Sequence, residues 1–359
     1  MKTAYLTGTR QIEIRETPEP HLMNPGDVLV QIEAVGVCGS DIHYYATGRI
    51  GAQAVQYPQT VGHECAGLVV RAGAAVPATE LAPAQRVAID PLISCGECDQ
   101  CRNGREHTCR RQSFLGCPGQ APGALAEYLV MPARCCYPVP RAMTAAQAAM
   151  VEPLSIGLHS RNLAPLPRGS QAKIAILGAG PIGLCVMLAC RATDGSSACR
   201  AHVIDPIEER LEIARRCGAE WTANPQREDV VRALARKEPA GMDVVFECAG
   251  SQAALDQAAE LLKPGGALLI VGIPELDRVS FDPHLWRRHE LQITNVRRQN
   301  KCIASAVEMI ASGAVNVDPL VTHRFALADS QRAFGLVESY GDGVVKAMID
   351  VKAPGEEAE

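Results

Sequence analysis

The chain has 359 residues, of which 47% are hydrophobic and 21% are charged, and its formal net charge is -5. These values are typical of a globular protein with two domains; they exclude a disordered chain, and the net negative charge argues against nucleic acid as a partner. The sequence has no apolar run of the roughly 18 residues needed to cross a bilayer, and MKTAYLTGTR lacks the apolar core of a secretory signal, so we expect a cytoplasmic protein with no membrane partner.

The first part of the chain, from Met1 to about Val151, contains short β-prone runs separated by glycine and proline. Examples are DVLVQIEAVGV, AGLVVRAG and RVAID. Runs of this kind indicate short strands joined by turns. We therefore expect a β-rich domain here.

The middle of the chain alternates apolar strands with helical periodicity. KIAIL at residues 173–177 is followed by AHVID, DVVFE and ALLIV. Between the last two, apolar residues recur at the spacing of a helix, at Leu255, Ala258, Ala259 and Leu262. Such alternation predicts an α/β domain with a parallel, doubly wound sheet.

The last part of the chain has elements of its own. A further helix is indicated by the spacing of Ile303, Ala306, Val307 and Ile310. The strand-like VVKAMIDV follows a helix that we expect Asp329 to cap, and the acidic KAPGEEAE at the end is expected to be a solvated tail.

A glycine fingerprint follows KIAIL directly, with the sequence Gly178-Ala179-Gly180-Pro181-Ile182-Gly183. Gly178 permits a tight turn, Gly180 lets the backbone approach a pyrophosphate, and Gly183 allows close packing of a helix whose N-terminus attracts phosphate. Asp205 ends the next strand, where a carboxylate can bind the ribose hydroxyls of adenosine and repels a 2′-phosphate. The pattern predicts binding of NAD rather than NADP.

Other interpretations of these residues stay open. The glycines could close an ordinary turn between a strand and a helix, and Asp205 could cap the helix that begins near Pro206. Arg210 could contact the adenosine or simply face solvent.

Four cysteines, Cys95, Cys98, Cys101 and Cys109, have the spacing C-x2-C-x2-C-x7-C. A compact loop of this kind can bring four thiolates to tetrahedral positions around one zinc ion. Because four cysteines leave no open coordination position, such a zinc would hold the lobe at residues 94–110 together rather than catalyse a reaction. An iron–sulfur cluster and four unrelated thiols are the alternatives.

A second group of metal-capable residues is scattered along the first part of the chain, at Cys38, His63, Glu64 and Glu152. Three protein ligands and an exchangeable water would make a catalytic zinc, which lowers the pKa of a bound hydroxyl. Taken singly, each residue could be structural, because a lone cysteine is commonly a buried apolar residue. The combination favours a catalytic metal.

The sequence resembles the zinc-containing medium-chain dehydrogenases, a family that includes alcohol, sorbitol (L-iditol) and threonine dehydrogenases. The resemblance is carried by CGSDIH at Cys38–His43, by GHECAG at Gly62–Gly67, by the four-cysteine lobe, by Glu152-Pro153-Leu154, and by the glycine fingerprint with Asp205. It covers nearly the whole chain.

The resemblance implies a GroES-like catalytic domain at residues 1–155, a Rossmann NAD-binding domain at 156–294, and a return to the catalytic domain at 295–359. It also implies that Cys38 and His63 bind the catalytic zinc. The third ligand is either Glu64 or Glu152, since Glu152 stands where alcohol dehydrogenases have a second cysteine. The replacement of that cysteine by Glu152, which would act on zinc directly or through its bound water, favours the polyol and threonine branch.

The remaining implied roles concern proton transfer, substrate and cofactor. Ser40 and His43 match the family's proton relay, and Tyr44, Glu152 and Arg297 match contacts to a polyol. Arg298 stands where sorbitol dehydrogenase has a tyrosine, which suggests an acidic, phosphorylated or inositol-like substrate. The segment Val271-Gly272-Ile273 is expected to lie against the nicotinamide.

We therefore expect an enzyme that transfers hydride from a secondary alcohol of a polyol, sugar alcohol or cyclitol to NAD, with two zinc ions per chain. A threonine dehydrogenase-like enzyme is the nearest alternative, and a catalytically silent NAD-binding or structural protein is the alternative of another class. The resemblance also implies a homo-oligomer, either a dimer or a tetramer.

Overall fold

The computed structural model describes residues 1–166, 171–194, 199–274 and 276–351, so the predicted C-terminal tail lies outside the described residues. The chain divides into two compact units. The first comprises Met1–Glu152, Ile303–Gly313 and Val321–Glu359, and the second comprises Pro153–Cys302 and Ala314–Leu320. The domain boundaries expected at residues 155 and 294 stay predictions.

The chain up to Ala149 forms short strands and helices, as the glycine- and proline-punctuated sequence predicts. In order, these are β1 (Lys2–Gly8), β2 (Gln11–Glu16), β3 (Asp27–Gly36), α1 (Gly39–Thr47), β4 (Arg49–Ile50), β5 (Gln53–Ala54), β6 (Glu64–Ala72), β7 (Arg86–Ile89), β8 (Leu92–Ile93), α2 (Asp99–Arg102), β9 (Ser113–Phe114), β10 (Tyr128–Pro132), β11 (Cys136–Pro138) and α3 (Ala145–Ala149). Single 3-10 turns occur at Glu106–Thr108 and Ala133–Cys135.

The middle of the chain alternates helices and strands. In order, these are α4 (Val151–Leu163), β12 (Ala172–Leu177), α5 (Pro181–Asp194), β13 (Cys199–Ile204), α6 (Glu208–Arg216), β14 (Trp221–Ala223), α7 (Val230–Lys237), β15 (Met242–Glu247), α8 (Gln252–Leu261), β16 (Leu262–Ile270), α9 (Pro283–His289) and β17 (Gln292–Asn295). The boundary between the units falls in the first turn of α4, after Glu152.

The end of the described chain contributes two helices and two strands to the first unit. They are α10 (Ile303–Ala311), β18 (Val321–Ala326), α11 (Ser330–Glu338) and β19 (Lys346–Asp350), with 3-10 turns at Leu327–Asp329 and Gly341–Gly343. A further 3-10 turn, at Asp318–Leu320, belongs to the second unit. The helices predicted from Leu255 and Ile303 are confirmed. Asp329 precedes α11 as expected, but the capping prediction is wrong, because its carboxylate pairs with Arg332 at 3.1 Å and bonds no amide of the helix.

The first unit is organised by a seven-stranded sheet in the order β11-β7-β6-β3-β19-β18, with β10 also paired to β3. Val30 and Ile32 on β3 are fully buried in its core. Complete burial of such a side chain contributes roughly 1.5–3 kcal/mol. The sheet matters for the site because β3 ends at Gly36, just before Cys38, and β6 begins at Glu64.

Close packing between β3 and β6 explains the second glycine of GHECAG. A Cβ at Gly67 would overlap the carbonyl carbon and oxygen of Gln31 on β3. Only a residue without a side chain fits between the two strands here. Gly67 therefore serves the packing that holds Glu64, at the start of β6, beside the end of β3, two residues before Cys38.

The second unit is built on a six-stranded parallel sheet in the order β14-β13-β12-β15-β16-β17. In chain order this is third, second, first, fourth, fifth, sixth, which is the order of a dinucleotide-binding doubly wound sheet. The predicted architecture is confirmed. The strand order reverses between β12 and β15, and ligands of such sheets bind at the carboxyl ends of the strands flanking this point.

Within the residues that the structure describes, no helix combines the length and the apolar character that a membrane crossing requires.

Candidate active site

The N-terminus of α1 brings together three residues of the CGSDIH motif. Cys38 precedes the helix, and its carbonyl oxygen accepts hydrogen bonds from the amides of Asp41 and Ile42 at 3.1 and 3.2 Å. The Ser40 hydroxyl donates to the Cys38 sulfur at 3.3 Å. The thiol of Cys38 is therefore held by the start of a helix and contacted by the hydroxyl two residues later.

Asp41 joins this helix to the turn that carries His63. One carboxylate oxygen accepts from the Cys38 amide at 3.4 Å, and the other accepts from the Gly62 amide at 3.3 Å. That second oxygen also lies 3.3 Å from Nδ1 of His63. A carboxylate on Nδ1 fixes the orientation of the ring and leaves Nε2 for another partner.

The sequence analysis missed Asp41 as a functional residue. Its side chain is 1% exposed and stands inside the motif that already held the candidate ligand Cys38. Burial lowers the pKa of His63, but the neighbouring Asp41 carboxylate and the Cys38 thiol outweigh it, and the net pKa is well above the ordinary value. An acidic residue between a metal-capable cysteine and histidine was the signal that could have found it.

Glu152 lies in the first turn of α4 with only 3% of its surface exposed. Burial raises the pKa of Glu152 to about 8; the charge of His63 lowers it and that of Glu64 raises it further. A carboxyl group buried beside an imidazole and a second carboxyl is costly to ionise unless a cation balances it.

Glu64 has a protein partner of its own. Its Oε2 accepts a 2.5 Å hydrogen bond from Nζ of Lys346, which also donates to the carbonyl oxygen of Val37 at 3.0 Å. Both charged side chains are 1% exposed. A Cβ at Gly36 would overlap Glu64 Oε2, so the glycine at the end of β3 makes room for this carboxylate.

The donors of this site suit a divalent cation. The buried or half-buried thiol, imidazole and carboxylates of Cys38, His63, Glu64 and Glu152 are the ligand types that zinc prefers. Their donor atoms do not form a group as tight as the four-cysteine lobe, which among the described residues is the one set with all donor atoms within 4.8 Å. Within this site the buried carboxylates of Asp41, Glu64 and Glu152 outnumber the ammonium group of Lys346, and a metal ion would balance their charge.

The four cysteines of the lobe converge around α2. Cys98 Sγ lies 3.5 Å from Cys101 Sγ and 3.9 Å from Cys109 Sγ, and Cys95 and Cys101 are 3.9 Å apart. Around a tetrahedral zinc with bonds of about 2.3 Å, sulfurs are about 3.8 Å apart. The amides of Cys95 and Arg111 both point at Cys109 Sγ, as amides do around bound thiolates. The lobe fits one structural zinc.

The glycine fingerprint forms the turn between β12 and α5. Gly178 has φ of +106°, a backbone conformation that side chains disfavour, and a Cβ at Gly183 would overlap the carbonyl oxygen of Gly178. The helix begins at Pro181 and continues through Ile182. A Cβ at Gly180 would meet only Arg210, at 3.8 Å, so this position leaves room for a ligand.

Asp205 follows β13 and is tied to the fingerprint. Its Oδ2 accepts from the amide of Ala179 at 2.7 Å, and its Oδ1 accepts from the amide of Ile207 at 2.8 Å. Burial raises the pKa of Asp205, while the two amides and the charge of Arg210 lower it. Arg210 is 7% exposed, so the interpretation that it faces solvent is wrong.

The segment predicted to face a nicotinamide leaves the carboxyl end of β16. The amides of Val271 and Gly272 both donate to the carbonyl oxygen of Glu247, at 2.8 and 2.9 Å. Ile273, the next residue, is 45% exposed. The segment is therefore anchored to β15, the strand at the reversal of the sheet order.

The predicted substrate contacts differ in their surroundings. Tyr44 is buried in the first unit, and its hydroxyl donates to Gln53 at 3.3 Å. Half-buried His43 lies one residue earlier on α1. Arg297 is exposed in the second unit, and Arg298 beside it has φ of +52°.

Comparisons with known proteins agree with this arrangement. Residues 24–141 match the family model of the alcohol dehydrogenase GroES-like domain, and residues 181–312 match that of the zinc-binding dehydrogenases. Sorbitol dehydrogenase of Bacillus subtilis (strain 168) is 34% identical over 350 residues, which cover 97% of each protein. The chain belongs to the zinc-containing medium-chain dehydrogenases. The predicted resemblance to this family is thereby confirmed.

Other members of the family are similarly related. L-idonate 5-dehydrogenase of Vitis vinifera is 34% identical, with 97% of this chain and 94% of that protein covered. Among solved structures, one from Sinorhizobium meliloti 1021, described as a zinc-binding dehydrogenase bound to NADP, is 31% identical with a TM-score of 0.86, covering 97% and 98% of the two chains. An alcohol dehydrogenase from E. coli CFT073 complexed with NADH is 27% identical with a TM-score of 0.86, covering 98% and 99%.

As a medium-chain dehydrogenase, the chain is an oxidoreductase that uses zinc and a nicotinamide dinucleotide as cofactors. The predicted GroES-like and Rossmann folds are confirmed by the family models and the solved structures. Membership also disfavours the alternative of a catalytically silent protein, since the relatives are named as dehydrogenases over nearly their full lengths.

Proposed function

We propose that the protein oxidises a secondary hydroxyl of a polyol, sugar alcohol or cyclitol to a ketone, with NAD as hydride acceptor. The observation that carries the proposal is the group formed by half-buried Cys38 with buried His63 and Glu152, in which a carboxylate accompanies one thiol and one imidazole. The relatives named as sorbitol dehydrogenase and L-idonate 5-dehydrogenase act on polyhydroxylated compounds by their names, which supports the same substrate class here.

Cys38, His63 and Glu152 would hold the catalytic zinc. We assign Glu152 rather than Glu64 as the third ligand, because Lys346 already bonds to Glu64 and balances its charge. When bound, zinc supplies the acidity that turns the substrate hydroxyl into an alkoxide, and NAD supplies the hydride acceptor. The four-cysteine lobe would hold the second, structural zinc.

The residues of α1 would move the proton released from the substrate. Ser40 lies beside Cys38, and His43 stands three residues further along the same helix, on the same face. A hydroxyl can accept one proton while it donates another, and an imidazole can pass the proton to solvent near neutral pH. Tyr44, one residue further on, and Arg297 would contact the substrate.

The cofactor preference for NAD rests on Asp205. Its carboxylate lies at the carboxyl end of β13, where it would accept hydrogen bonds from ribose hydroxyls and repel a 2′-phosphate. Arg210 lies near both Asp205 and Gly180 and would face the adenosine side. One related structure contains NADP, so both cofactors belong in the test.

The test is a substrate panel followed through the absorbance of reduced nicotinamide. The purified protein is offered NAD or NADP with sorbitol and other sugar alcohols, inositols, aldonates, sugar-alcohol phosphates, threonine and simple primary alcohols. We expect the highest kcat/KM on a polyhydroxylated secondary alcohol with NAD. Preference for threonine or for a simple primary alcohol would contradict the proposal. Activity confined to aldonates or sugar-alcohol phosphates would show that the substrate is the acidic or phosphorylated compound that Arg298 suggests.

Two variants separate the roles of the carboxylates. Glu152→Gln should abolish turnover and lower zinc from two ions per chain to one, since it removes a ligand. Glu64→Gln should leave both zinc ions bound, because the bond to Lys346 can be kept by the amide oxygen. Zinc measured by elemental analysis decides the assignment, and the opposite pattern would make Glu64 the ligand.

We also propose that the protein is a cytoplasmic homo-oligomer, a dimer or a tetramer. Edge strand β17 is unpaired on one side among the described residues, its Ile293 is 42% exposed, and an open groove of about 700 Å³ lined by Trp286 and Leu291 adjoins it. Unpaired edges with apolar surroundings favour association. Sedimentation of the purified protein tests the assembly; a monomer at micromolar concentration would contradict it.

A further inference from the structure

Three loops meet at the carboxyl edge of the parallel sheet. One is the fingerprint turn after β12, one follows β15 at residues 248–251, and one follows β16 at residues 271–274. A Cβ at Gly178 would lie 3.0 Å from the amide of Ala249, and a Cβ at Gly250 would lie 2.5 Å from the carbonyl oxygen of Ile273. The backbones are thus packed so closely that glycine is required at both contacts.

One buried residue connects the second and third loops. Glu247, the last residue of β15, is 1% exposed. Its carboxylate Oε1 accepts from the amides of Ala249 and Gly250 at 2.8 and 2.6 Å. Its main-chain carbonyl accepts from the two amides that begin the loop after β16, so four amides in all converge on this one residue.

The carboxylate lies at the interface of the two loops. A Cβ at Gly272 would be 2.5 Å from the amide nitrogen of Gly250 and 2.8 Å from Oε2 of Glu247. A charged acceptor bonded to two amides stabilises a turn more than a neutral one does. Without the carboxylate of Glu247, the turn at residues 248–251 would lose the acceptor of two of its amides. The loop at residues 271–274, which packs against this turn, would then lose a well-ordered contact.

We propose that Glu247 is a positioning residue for the nicotinamide half of the dinucleotide. This inference rests on the proposed NAD-dependent function and on the expected role of the loop at Val271–Ile273. Glu247 touches that loop directly, whereas Asp205 follows β13, two strands away from β15. Adjacent strands are about 4.8 Å apart, so the adenosine site lies roughly 10 Å further along the sheet edge. Loss of Glu247 should therefore weaken one half of the cofactor site selectively.

The test compares two ligands that share the adenosine and diphosphate. NADH contains the nicotinamide and ADP-ribose does not, and binding of both is measured by calorimetry without substrate. In Glu247→Ala we expect the Kd of NADH to rise about tenfold or more and that of ADP-ribose to change less than about twofold. Glu247→Asp has a side chain one methylene shorter, which cannot reach the same amides, so it should show the same selective loss of NADH affinity as Glu247→Ala. It replaces the alanine variant in the test if that variant does not fold.

Two further variants act as controls. Both side-chain bonds of Glu247 go to Oε1, so the amide oxygen of Glu247→Gln can keep them, and this variant should bind both ligands within about threefold of wild type.

Glu238→Gln changes another buried carboxylate, which pairs with Lys173 and Arg200 at the amino ends of β12 and β13. It should lower stability and leave the ratio of the two affinities unchanged.

The outcomes are distinguishable. Equal losses of NADH and ADP-ribose affinity in the alanine and aspartate variants, or no loss of either, would overturn the role of Glu247. A glutamine variant as weak as the alanine variant would overturn the hydrogen-bonding argument. A wild-type protein that binds neither ligand would instead contradict the proposed dehydrogenase function.

Discussion

Replacing Asp41 by asparagine tests whether its carboxylate positions Cys38 and His63 for binding the catalytic zinc. Both carboxylate oxygens accept hydrogen bonds: one from the Cys38 amide, the other from the Gly62 amide and the facing His63 ring. Asparagine has a single acceptor oxygen, and its NH2 group must then point at another donor. At least one buried N–H therefore loses its acceptor in Asp41→Asn, whichever way the amide turns.

The expected size of the effect follows from this count. A buried donor left without an acceptor costs about 1–3 kcal/mol, and 1.4 kcal/mol corresponds to a factor of ten. The bonds of Asp41 are 3.3–3.4 Å long, which places the cost toward the lower half of the range. The lower half of that range, about 1–2 kcal/mol, corresponds to a factor of about 5–30. We therefore expect zinc affinity at the catalytic site, or kcat/KM, to fall by about 5–30-fold, near the lower end of the loss of about 10–100-fold that is usual for a residue that orients a metal-binding histidine.

The assay combines zinc content with initial rates. Protein is dialysed against chelators of graded strength, zinc per chain is measured, and turnover is followed with NAD and the best substrate of the panel. Asp41→Asn should lose one zinc at a lower chelator strength than wild type and keep the zinc of the four-cysteine lobe. Glu33→Gln is the matched control, because Glu33 is a carboxylate of the same unit that pairs with Arg86 at 2.7 Å. If Asp41→Asn kept both zinc ions and a kcat/KM within twofold of wild type, the reasoning would be refuted.

Four further predictions concern the rest of the molecule. Cys101→Ser should release the structural zinc and lower the melting temperature, and unchanged zinc content would contradict that site. Asp205→Ala should narrow the ratio of kcat/KM for NAD over NADP by tenfold or more; an unchanged ratio would remove Asp205 from cofactor selection. Gly67→Ala should destabilise the first unit by several kcal/mol in urea unfolding, since its Cβ would overlap Gln31. Burial lowers the pKa of His202 to about 4, so between about pH 6.5 and pH 4 the imidazole is protonated in the unfolded chain but not in the folded one, and the fold loses stability as the pH falls. The decrease in the free energy of unfolding between pH 7 and pH 5 should therefore be smaller by about 2 kcal/mol in His202→Gln than in wild type. An equal decrease in both proteins would contradict this.

The parts of the site that the sequence predicted are those encoded by local spacing. The four cysteines of the lobe lie within one short loop, and the fingerprint glycines form one turn, so their geometry follows from positions a few residues apart. The bond between Lys346 and Glu64 joins residues 282 positions apart and depends on β19 pairing beside β3. No pattern in the sequence of VVKAMIDV distinguishes this buried lysine from a surface one.

Two other differences have a similar origin. The sequence allows Arg210 to face solvent on its helix, but it is 7% exposed and its guanidinium lies near Gly180. Asp329 has the residue type and position of a cap, but a nearby arginine three residues later competes for its carboxylate. In each case tertiary or side-chain contacts, which spacing does not reveal, decide what the residue does.

The anchoring of Asp205 has a consequence for attempts to redesign cofactor use. Its two oxygens already hold the turn of the fingerprint and the approach to α6 through the amides of Ala179 and Ile207. Removing the carboxylate to admit a 2′-phosphate therefore also removes two hydrogen bonds, one of which holds the glycine-rich turn, where either dinucleotide would bind. A productive redesign would keep a short neutral acceptor, such as asparagine or serine, at position 205 and add the phosphate-binding cation elsewhere. The residue that we propose to select the cofactor is thus also the residue that holds the turn around its binding site.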